Sequence, residues 1–245
     1  MPPFQTFTAI LQEKKQLTED VFFLSFSAPE EFIFQAGQFV TIVLEKLTGK
    51  NGENNAESKT ERKVRSYSIL NLPSEKGKVD LCVKIVQGGF ASEIFLNAKI
   101  GDTFVMKGPL GHFVFDASSS KEHWFIGAGT GLTPFYSMIL EHLPKHPNLQ
   151  FRLLIGFRYL KNVLFQEKFL QLEKKFPNFK YFLTLSKEEN IGEKDLRGRV
   201  QQHLPENSQD KTYYICGLKD LVLETRAELL KKGVLPEKIR FERYN

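Results

Sequence analysis

The chain has few cysteines and no long apolar run, and each shortage excludes a class of protein. Its two cysteines, Cys82 and Cys216, lie in different halves of the 245-residue sequence. They predict neither a disulfide framework nor a cysteine-ligated iron–sulfur cluster, and they favour a reducing, cytoplasmic setting. No apolar run approaches the roughly 20 residues that cross a bilayer, so no membrane span is expected.

A strong charge bias and a cluster of metal ligands are also missing. The net charge is +5, from 34 basic and 29 acidic residues that are well mixed along the chain. A nucleic-acid partner is not expected, because the basic stripe typical of such proteins is absent. His142 and His146 are close in sequence, but Pro144 between them would break the helix needed to bring both imidazoles to one metal. No metal site is predicted.

The first half of the chain carries short strand patterns separated by glycine and proline turns. The segment 79–86 alternates with a period of two, which places its apolar residues on one face: Val79, Leu81, Val83 and Ile85. Further strands are predicted at 21–26, 38–44 and 103–107. Many short strands with such turns indicate an antiparallel β-barrel. The polar stretch 45–63 is interpreted as an exposed hairpin connection, a tolerated insertion rather than a functional element.

In the second half, strand patterns alternate with helical ones. Strands are predicted at 123–126, 151–155, 179–185, 212–216 and 238–242. Apolar residues at helical spacing predict helices over 135–143, 165–176 and 221–232. Alternating strands and helices indicate an α/β domain with a parallel sheet covered by helices. The small polar segment 116–121 indicates a linker, so the predicted domains are 1–117 and 118–245.

A glycine-rich turn joins a strand to a helix at Gly127-Ala128-Gly129-Thr130-Gly131-Leu132-Thr133-Pro134. Glycine permits positive φ angles and a close approach of the backbone to a ligand. The start of the following helix adds unpaired amides and a partial positive charge, which suit a pyrophosphate. Taken alone, the motif fits a tight turn equally well.

Two motifs in the first half have similar chemistry. Arg65-Ser66-Tyr67-Ser68 is predicted at the start of an extended segment, with Arg65 and Tyr67 on one side as a guanidinium for phosphate and a ring for stacking. Gly88-Gly89-Phe90-Ala91-Ser92 precedes a short helical stretch over 93–97 and forms a second candidate anion site, with the Ser92 hydroxyl available. Each motif alone also fits an ordinary strand or a capped turn.

The order of these motifs resembles that of the ferredoxin–NADP reductase superfamily of flavin- and pyridine-nucleotide-dependent electron transferases. That family has Arg-x-Tyr-Ser, Gly-x-x-Ser, Gly-x-Gly-x-x-x-Pro and a late Cys-Gly, matched here by 65–68, 89–92, the 127–134 loop and Cys216-Gly217-Leu218. Residues 108–113 are also similar to the turn that closes the family's barrel. The resemblance implies an antiparallel FAD-binding barrel followed by an α/β NAD(P)-binding domain.

The resemblance also implies roles for the flavin-site residues. Arg65 would contact the FAD pyrophosphate with the 88–92 turn, Tyr67 would lie against the isoalloxazine ring, and Thr133 would approach the flavin. Ser66 belongs to the same cofactor-binding motif. The implied catalytic residues are Ser68, which would hydrogen-bond near flavin N5, Cys216, which would lie beside the nicotinamide, and Glu242.

For the pyridine nucleotide, the resemblance implies a pyrophosphate site formed by Gly127, Gly129, Thr130 and Gly131. The adenosine half would lie near Arg158, Ser186 and Lys187, and the two cations would suit a 2′-phosphate. NADPH is slightly favoured over NADH. Tyr244 would cover the flavin if the tail turns back, and otherwise it ends a strand as an exposed tyrosine.

The implied activity is hydride transfer from NADPH or NADH to FAD, with electrons passing to a separate acceptor such as ferredoxin or flavodoxin. A flavin reductase, or the reductase component of an oxygenase, is the second interpretation. A non-catalytic FAD-binding electron-transfer subunit is the third, and the intact nucleotide loop and Cys216 speak against it.

Overall fold

The computed structural model describes residues 4–48 and 59–244. The chain divides into two compact units between Gly111 and His112. This division precedes the linker expected from composition, because Phe113 and Phe115 belong to the aromatic packing of the second unit. Phe113 contacts Phe135 at a ring-centroid distance of 6.0 Å, and Phe115 contacts Phe151 at 5.2 Å.

The first unit is an antiparallel barrel with one helix. Its elements are β1 (Gln5–Thr18), β2 (Val21–Ser27), β3 (Phe39–Thr48), β4 (Lys59–Ser68), β5 (Lys78–Lys84), α1 (Phe90–Asn97) and β6 (Thr103–Leu110). The strands pair in the order β4-β3-β6-β1-β2-β5. A bridge between Ile69, just beyond β4, and Leu81 of β5 brings the two edge strands together. The predicted antiparallel barrel is confirmed.

Side-chain alternation fills the barrel as the sequence pattern indicates. Val79, Leu81 and Val83 of β5 are almost fully buried, and Ile85 packs against the same core. Phe95 of α1 is 1% exposed, so the helix contributes to this core. Burial of a Leu or Val side chain stabilises a fold by roughly 1.5–3 kcal/mol.

Several local predictions for the first unit were wrong. The described parts of the stretch 45–63 are strand rather than connection, because β3 continues to Thr48 and β4 begins at Lys59; residues 49–58 lie outside the described residues. Backbone pairing and ion pairs such as Arg62–Glu45, at 3.4 Å, allow this polar hairpin to form. As a result the segment 65–68 ends a strand rather than starting one, and α1 begins at Phe90 rather than at residue 93.

The 14-residue β1 was missed for a similar reason. It is rich in polar residues, and its burial is irregular beyond Leu11, so its strand character depends on pairing with β2 and β6.

The second unit is a parallel sheet with helices. Its strands are β7 (Glu122–Ala128), β8 (Gln150–Phe157), β9 (Phe179–Leu185), β10 (Leu196–Arg197), β11 (Thr212–Leu218) and β12 (Ile239–Tyr244). They pair in the order β10-β9-β8-β7-β11-β12, and every pair is parallel. The helices are α2 (Thr133–His142), α3 (Gln166–Lys175) and α4 (Lys219–Lys231). The predicted α/β architecture is confirmed.

Within the described part of the chain, no helix combines the length and the apolar character needed to cross a membrane. Among the same residues, no group of three or more histidine, cysteine or acidic side chains is arranged to hold a metal ion.

Candidate active site

In the first unit, Arg65 and Tyr67 lie on the face of β4 that also lines the barrel core. In the β3–β4 pair, Arg65 lies opposite Ile42 and Tyr67 lies opposite Val40. Directly opposed residues share one face of a sheet, and Ile42 and Val40 are fully buried. Arg65 is nevertheless exposed. A guanidinium and an aromatic ring are thus available side by side.

Tyr67 connects this strand to α1. Its ring packs edge-on against Phe95, with centroids 5.6 Å apart and an interplanar angle of 80°. Burial raises the pKa of the Tyr67 hydroxyl, and the charge of Arg65 opposes that rise. The hydroxyl is therefore a hydrogen-bond donor at neutral pH. Ser66 and Ser68 alternate to the face opposite Arg65 and Tyr67; Ser66 is exposed, whereas Ser68 is buried at the strand end.

A glycine turn leads from β5 into α1. Gly88 has φ +69°, a left-handed conformation that glycine adopts without strain. A Cβ on Gly89 would lie 3.0 Å from both Ser92 Oγ and Val86 O. The Ser92 hydroxyl accepts a 2.8 Å hydrogen bond from the Val86 amide, so it holds the turn closed. No side chain caps the helix, and its first amides, beginning with Phe90, can therefore serve an anion.

Lys63 lies on the same face of β4 as Arg65, and the sequence analysis did not select it. Its ammonium is 4.6 Å from the centroid of the Phe90 ring and 2.7 Å from Glu61 Oε1. The signal in the sequence is its two-residue spacing from Arg65. That signal was hidden because residues up to 63 were interpreted as a connection rather than a strand.

In the second unit, the strand order reverses between β7 and β11. The chain continues from β7 to β8 on one side of β7, whereas β11 pairs with its other side. Ligands of open α/β sheets bind in the crevice outside the carboxyl ends of the strands at such a point. Cys216, near the end of β11, is in register with Gly127, where the glycine loop leaves β7. The fold thus brings together the two motifs of this half of the sequence.

Two glycines of the loop are required by close packing and one by conformation. A Cβ on Gly131 would lie 2.4 Å from Cys216 O, and one on Gly127 would lie 2.8 Å from the same atom. Gly129 has φ +56° and open space around it. The Thr133 hydroxyl donates a 2.8 Å hydrogen bond to the Thr130 carbonyl, and Thr133 is only 3% exposed. This side chain therefore stabilises the loop.

Glu242 and Tyr244 of β12 lie next to Cys216. Glu242 is in register with Cys216, and Tyr244 is in register with Leu218. Burial raises the pKa of the fully buried Cys216 thiol, the Glu242 carboxylate raises it further, and a hydrogen bond with Tyr244 opposes the rise. The thiol is therefore neutral. Within the described residues β12 continues straight to Tyr244, which is half-buried, so the tail does not turn back there.

Arg158 and Lys187 lie side by side beyond the ends of β8 and β9. The Lys187 amide donates to the Arg158 carbonyl at 2.9 Å, and the Ser186 amide donates to the Phe157 carbonyl at 3.0 Å. Both cationic side chains are exposed. Glu188 follows them, and its carboxylate accepts a 2.8 Å hydrogen bond from the Leu160 amide.

Sequence comparisons agree with this geometry. The oxidoreductase FAD-binding domain matches residues 8–115, and the oxidoreductase NAD-binding domain matches residues 125–226. Ferredoxin–NADP reductase B of Sorangium cellulosum is 30% identical over 254 residues, covering 98% of both chains. The DmpP reductase component of phenol 2-monooxygenase from Pseudomonas sp. is 26% identical, and the match covers 99% of this chain but 66% of that one.

Solved structures share the fold. Cytochrome P450 reductase GcoB of Amycolatopsis superposes with a TM-score of 0.85 at 23% identity, covering 99% of this chain and 71% of that one. A ferredoxin NADP+ reductase from Neisseria gonorrhoeae with bound FAD and NADP superposes with a TM-score of 0.79 at 19% identity, and the match covers 97% of this chain and 98% of that one.

The fold and the two matched domains define a two-domain oxidoreductase that binds FAD and a nicotinamide nucleotide. The chain belongs to the ferredoxin–NADP reductase superfamily. Its residues fit both cofactors: a guanidinium, a ring and unpaired helix amides suit the flavin side, and a glycine loop at the strand-order reversal suits the nucleotide.

Proposed function

We propose that this oxidoreductase transfers hydride from NADPH or NADH to FAD and delivers electrons to a separate acceptor of the ferredoxin or flavodoxin class. The observation that carries the proposal is the register of Cys216 with both Gly127 and Glu242 at the crevice of the second unit. This arrangement supports a nicotinamide site bordered by a neutral thiol and a carboxylate. The name of the Sorangium relative supports ferredoxin as an acceptor.

Bound FAD supplies the redox chemistry, because it accepts a hydride and releases electrons singly or in pairs. The protein's task is to bind and orient it. Arg65 contributes a charge-assisted contact to the pyrophosphate, and the first amides of α1 contribute hydrogen bonds to it. Tyr67 offers its ring to the isoalloxazine, and Ser68, buried at the end of β4, offers a hydroxyl near flavin N5.

The second unit would lay the nucleotide across the ends of its strands. The pyrophosphate would bind at Gly129, Thr130 and the adjoining glycines, the nicotinamide at Cys216, and the adenosine half at Arg158 and Lys187. From β9 across β8 and β7 to β11 the sheet spans about 14 Å, at about 4.8 Å per strand spacing, a length that suits an extended dinucleotide. The cationic pair supports NADPH, because a 2′-phosphate gains charge-assisted hydrogen bonds there.

The decisive experiment measures flavin content, nucleotide oxidation and acceptor reduction with the purified 245-residue chain. We expect FAD on release, reduction by NADPH faster than by NADH, and higher kcat/KM for ferredoxin or flavodoxin than for free flavin. Preference for free flavin would favour a flavin reductase. If the chain binds FAD but neither nucleotide reduces it, the protein would instead be a non-catalytic electron-transfer subunit.

The reductase component of an oxygenase is the second candidate. Its support is the similarity to the reductase component of phenol 2-monooxygenase. An oxygenase partner would be identified if electrons reach a mono-oxygenase component faster than ferredoxin or flavodoxin. We also propose a cytoplasmic location, on the grounds of the sparse cysteine content.

A further inference from the structure

The inner face of β4 carries three residues in a row along the proposed flavin groove. Lys63, Arg65 and Tyr67 lie opposite Leu44, Ile42 and Val40 of β3, and all three opposed residues are at most 1% exposed. The residues between them alternate to the other face, where Val64 is 50% exposed. Lys63 therefore shares its face with the two residues of the flavin motif.

The spacing along the strand gives each of these residues a place along the cofactor. Residues two apart in a strand are separated by about 6.6 Å. If the isoalloxazine lies at Tyr67 and the pyrophosphate at Arg65, the next position on that face lies toward the adenosine end. Lys63 occupies this position, and its four-carbon stem can reach back to a phosphate.

The Lys63 ammonium is held close to the start of α1. It lies over the ring of Phe90, the first residue of that helix, and is paired with Glu61. The other carboxylate near the helix start, Glu93, forms an ion pair with Lys46. The two carboxylates are thus neutralised by Lys63 and Lys46, and the positive charge of Arg65 remains as the net charge on this face. The Lys63 ammonium still has further N–H groups, which it can donate to a phosphate.

We propose that Lys63 is a further FAD-binding residue that contacts the phosphate on the adenosine side of the pyrophosphate and so favours FAD over FMN. This inference rests on the proposed placement of FAD along Tyr67 and Arg65. Phe90 is a positioning residue, because its ring lies beneath the ammonium.

The test compares the FAD and FMN affinities of variants of the 245-residue chain. Lys63→Met is expected to raise Kd for FAD on the order of tenfold, as for loss of a charge-assisted contact, and to leave Kd for FMN nearly unchanged. Lys63→Arg should restore most of the FAD affinity. Arg62→Met is the matched control, because it removes the same charge from the opposite face, where Arg62 is paired with Glu45. Its Kd for FAD should equal that of the wild type.

A second variant, Phe90→Leu, keeps apolar packing and removes the ring beneath the ammonium. It should weaken FAD binding in the same direction but less than Lys63→Met does. The proposal is overturned if Lys63→Met leaves FAD affinity intact, if it weakens FMN as strongly as FAD, or if Arg62→Met has the same effect. A wild-type chain that binds neither flavin would instead contradict the placement of FAD itself.

Discussion

At the residue scale, Cys216 places a neutral thiol at the crevice between β7 and β11. The thiol is fully buried, and both its burial and the Glu242 carboxylate hold its pKa above the ordinary value. We therefore propose that it borders the nicotinamide as a weak hydrogen-bond partner rather than as a thiolate. The pH profile of the hydride-transfer rate is thus expected to contain no step from this thiol near the usual cysteine pKa of about 8.5.

Cys216→Ala and Ser68→Ala should slow hydride transfer more than they weaken nucleotide binding. Both side chains are proposed to fix the position of the nicotinamide relative to the flavin, and a displacement of about 1 Å can cost on the order of a hundredfold in rate. Stopped-flow reduction at saturating nucleotide measures this rate. Cys82→Ala, which changes the barrel strand β5, is the control; wild-type rates in the two site variants would contradict the assignment.

Arg158 and Lys187 are the residues expected to distinguish the two nucleotides. The double variant Arg158→Ala with Lys187→Ala should raise the KM for NADPH, because two cations near a 2′-phosphate are lost. The KM for NADH should change little, since both exposed side chains remain hydrated when no phosphate is present. Steady-state kinetics with each nucleotide measures the difference. If the double variant changes the KM for NADPH and the KM for NADH equally, these residues do not select between the two nucleotides.

At the element scale, the glycine loop and the end of β11 are one packed unit. Gly131→Ala would place a methyl group 2.4 Å from Cys216 O, where only movement of the loop or of β11 could relieve the overlap. We expect a loss of about 1–3 kcal/mol in the free energy of unfolding, as in other overpacked sites. Gly129→Asn is the control: its site is open, and asparagine tolerates the left-handed backbone.

Denaturant unfolding, with the signal of the second unit followed separately, is the measurement for both loop variants. A Gly131→Ala protein as stable as the wild type would show that the loop shifts at no cost. In that case nucleotide affinity, rather than stability, would be the property that this glycine preserves.

At the scale of the whole molecule, acid should destabilise the second unit through the histidines packed around Phe115. His123 and His142 each place a ring 4.7 Å from the ring of Phe115, and His146 lies at 5.7 Å. Burial lowers the pKa of His123 to about 4, and burial also lowers that of His142 to about 4. Their neutral forms are therefore part of the folded packing.

The sign of the effect follows from the unfolded pKa of about 6.5. Above that pH both histidines are neutral in either state, and their contribution to stability is complete. As pH falls from about 6.5 toward 4, the unfolded chain takes up protons first, so buried His123 costs at most roughly 1.4 kcal/mol of stability per pH unit, and half-buried His142 costs less because solvent screens it. Charges nearby modify this: Asp116 and Glu141 favour protonation of His123 and His142 respectively, whereas His146 opposes both.

Unfolding midpoints between pH 8 and pH 4.5 measure this dependence. His142→Gln should flatten the slope whatever its effect at pH 8, because one proton-linked group is gone. His112→Gln, at an exposed histidine outside the cluster, is the control. A His142→Gln slope equal to that of the wild type would contradict the role of the cluster.

The sequence by itself determined the kinds of element and the order of the motifs, because both are local. A period of two in β5, helical spacing after Pro134 and glycine turns at 88–89 and 127–131 each report a backbone preference within a few residues. From them the barrel, the α/β domain and the nucleotide loop were predicted. These local patterns do not record which strands pair, so β1 and the polar ends of β3 and β4, which depend on pairing, were missed.

Only the tertiary structure decided which distant residues meet. The bridge from Ile69 to Leu81, the reversal between β7 and β11, and the register of Cys216 with Gly127 and Glu242 all depend on strand order. Strand order is set by burial and hydrogen bonding between segments far apart in the chain, and no single segment records it. The proposed role of Lys63 depends on the tertiary structure in the same way. Pairing with β3 makes its segment a strand and determines that Lys63 lies on the same face of β4 as Arg65 and Tyr67.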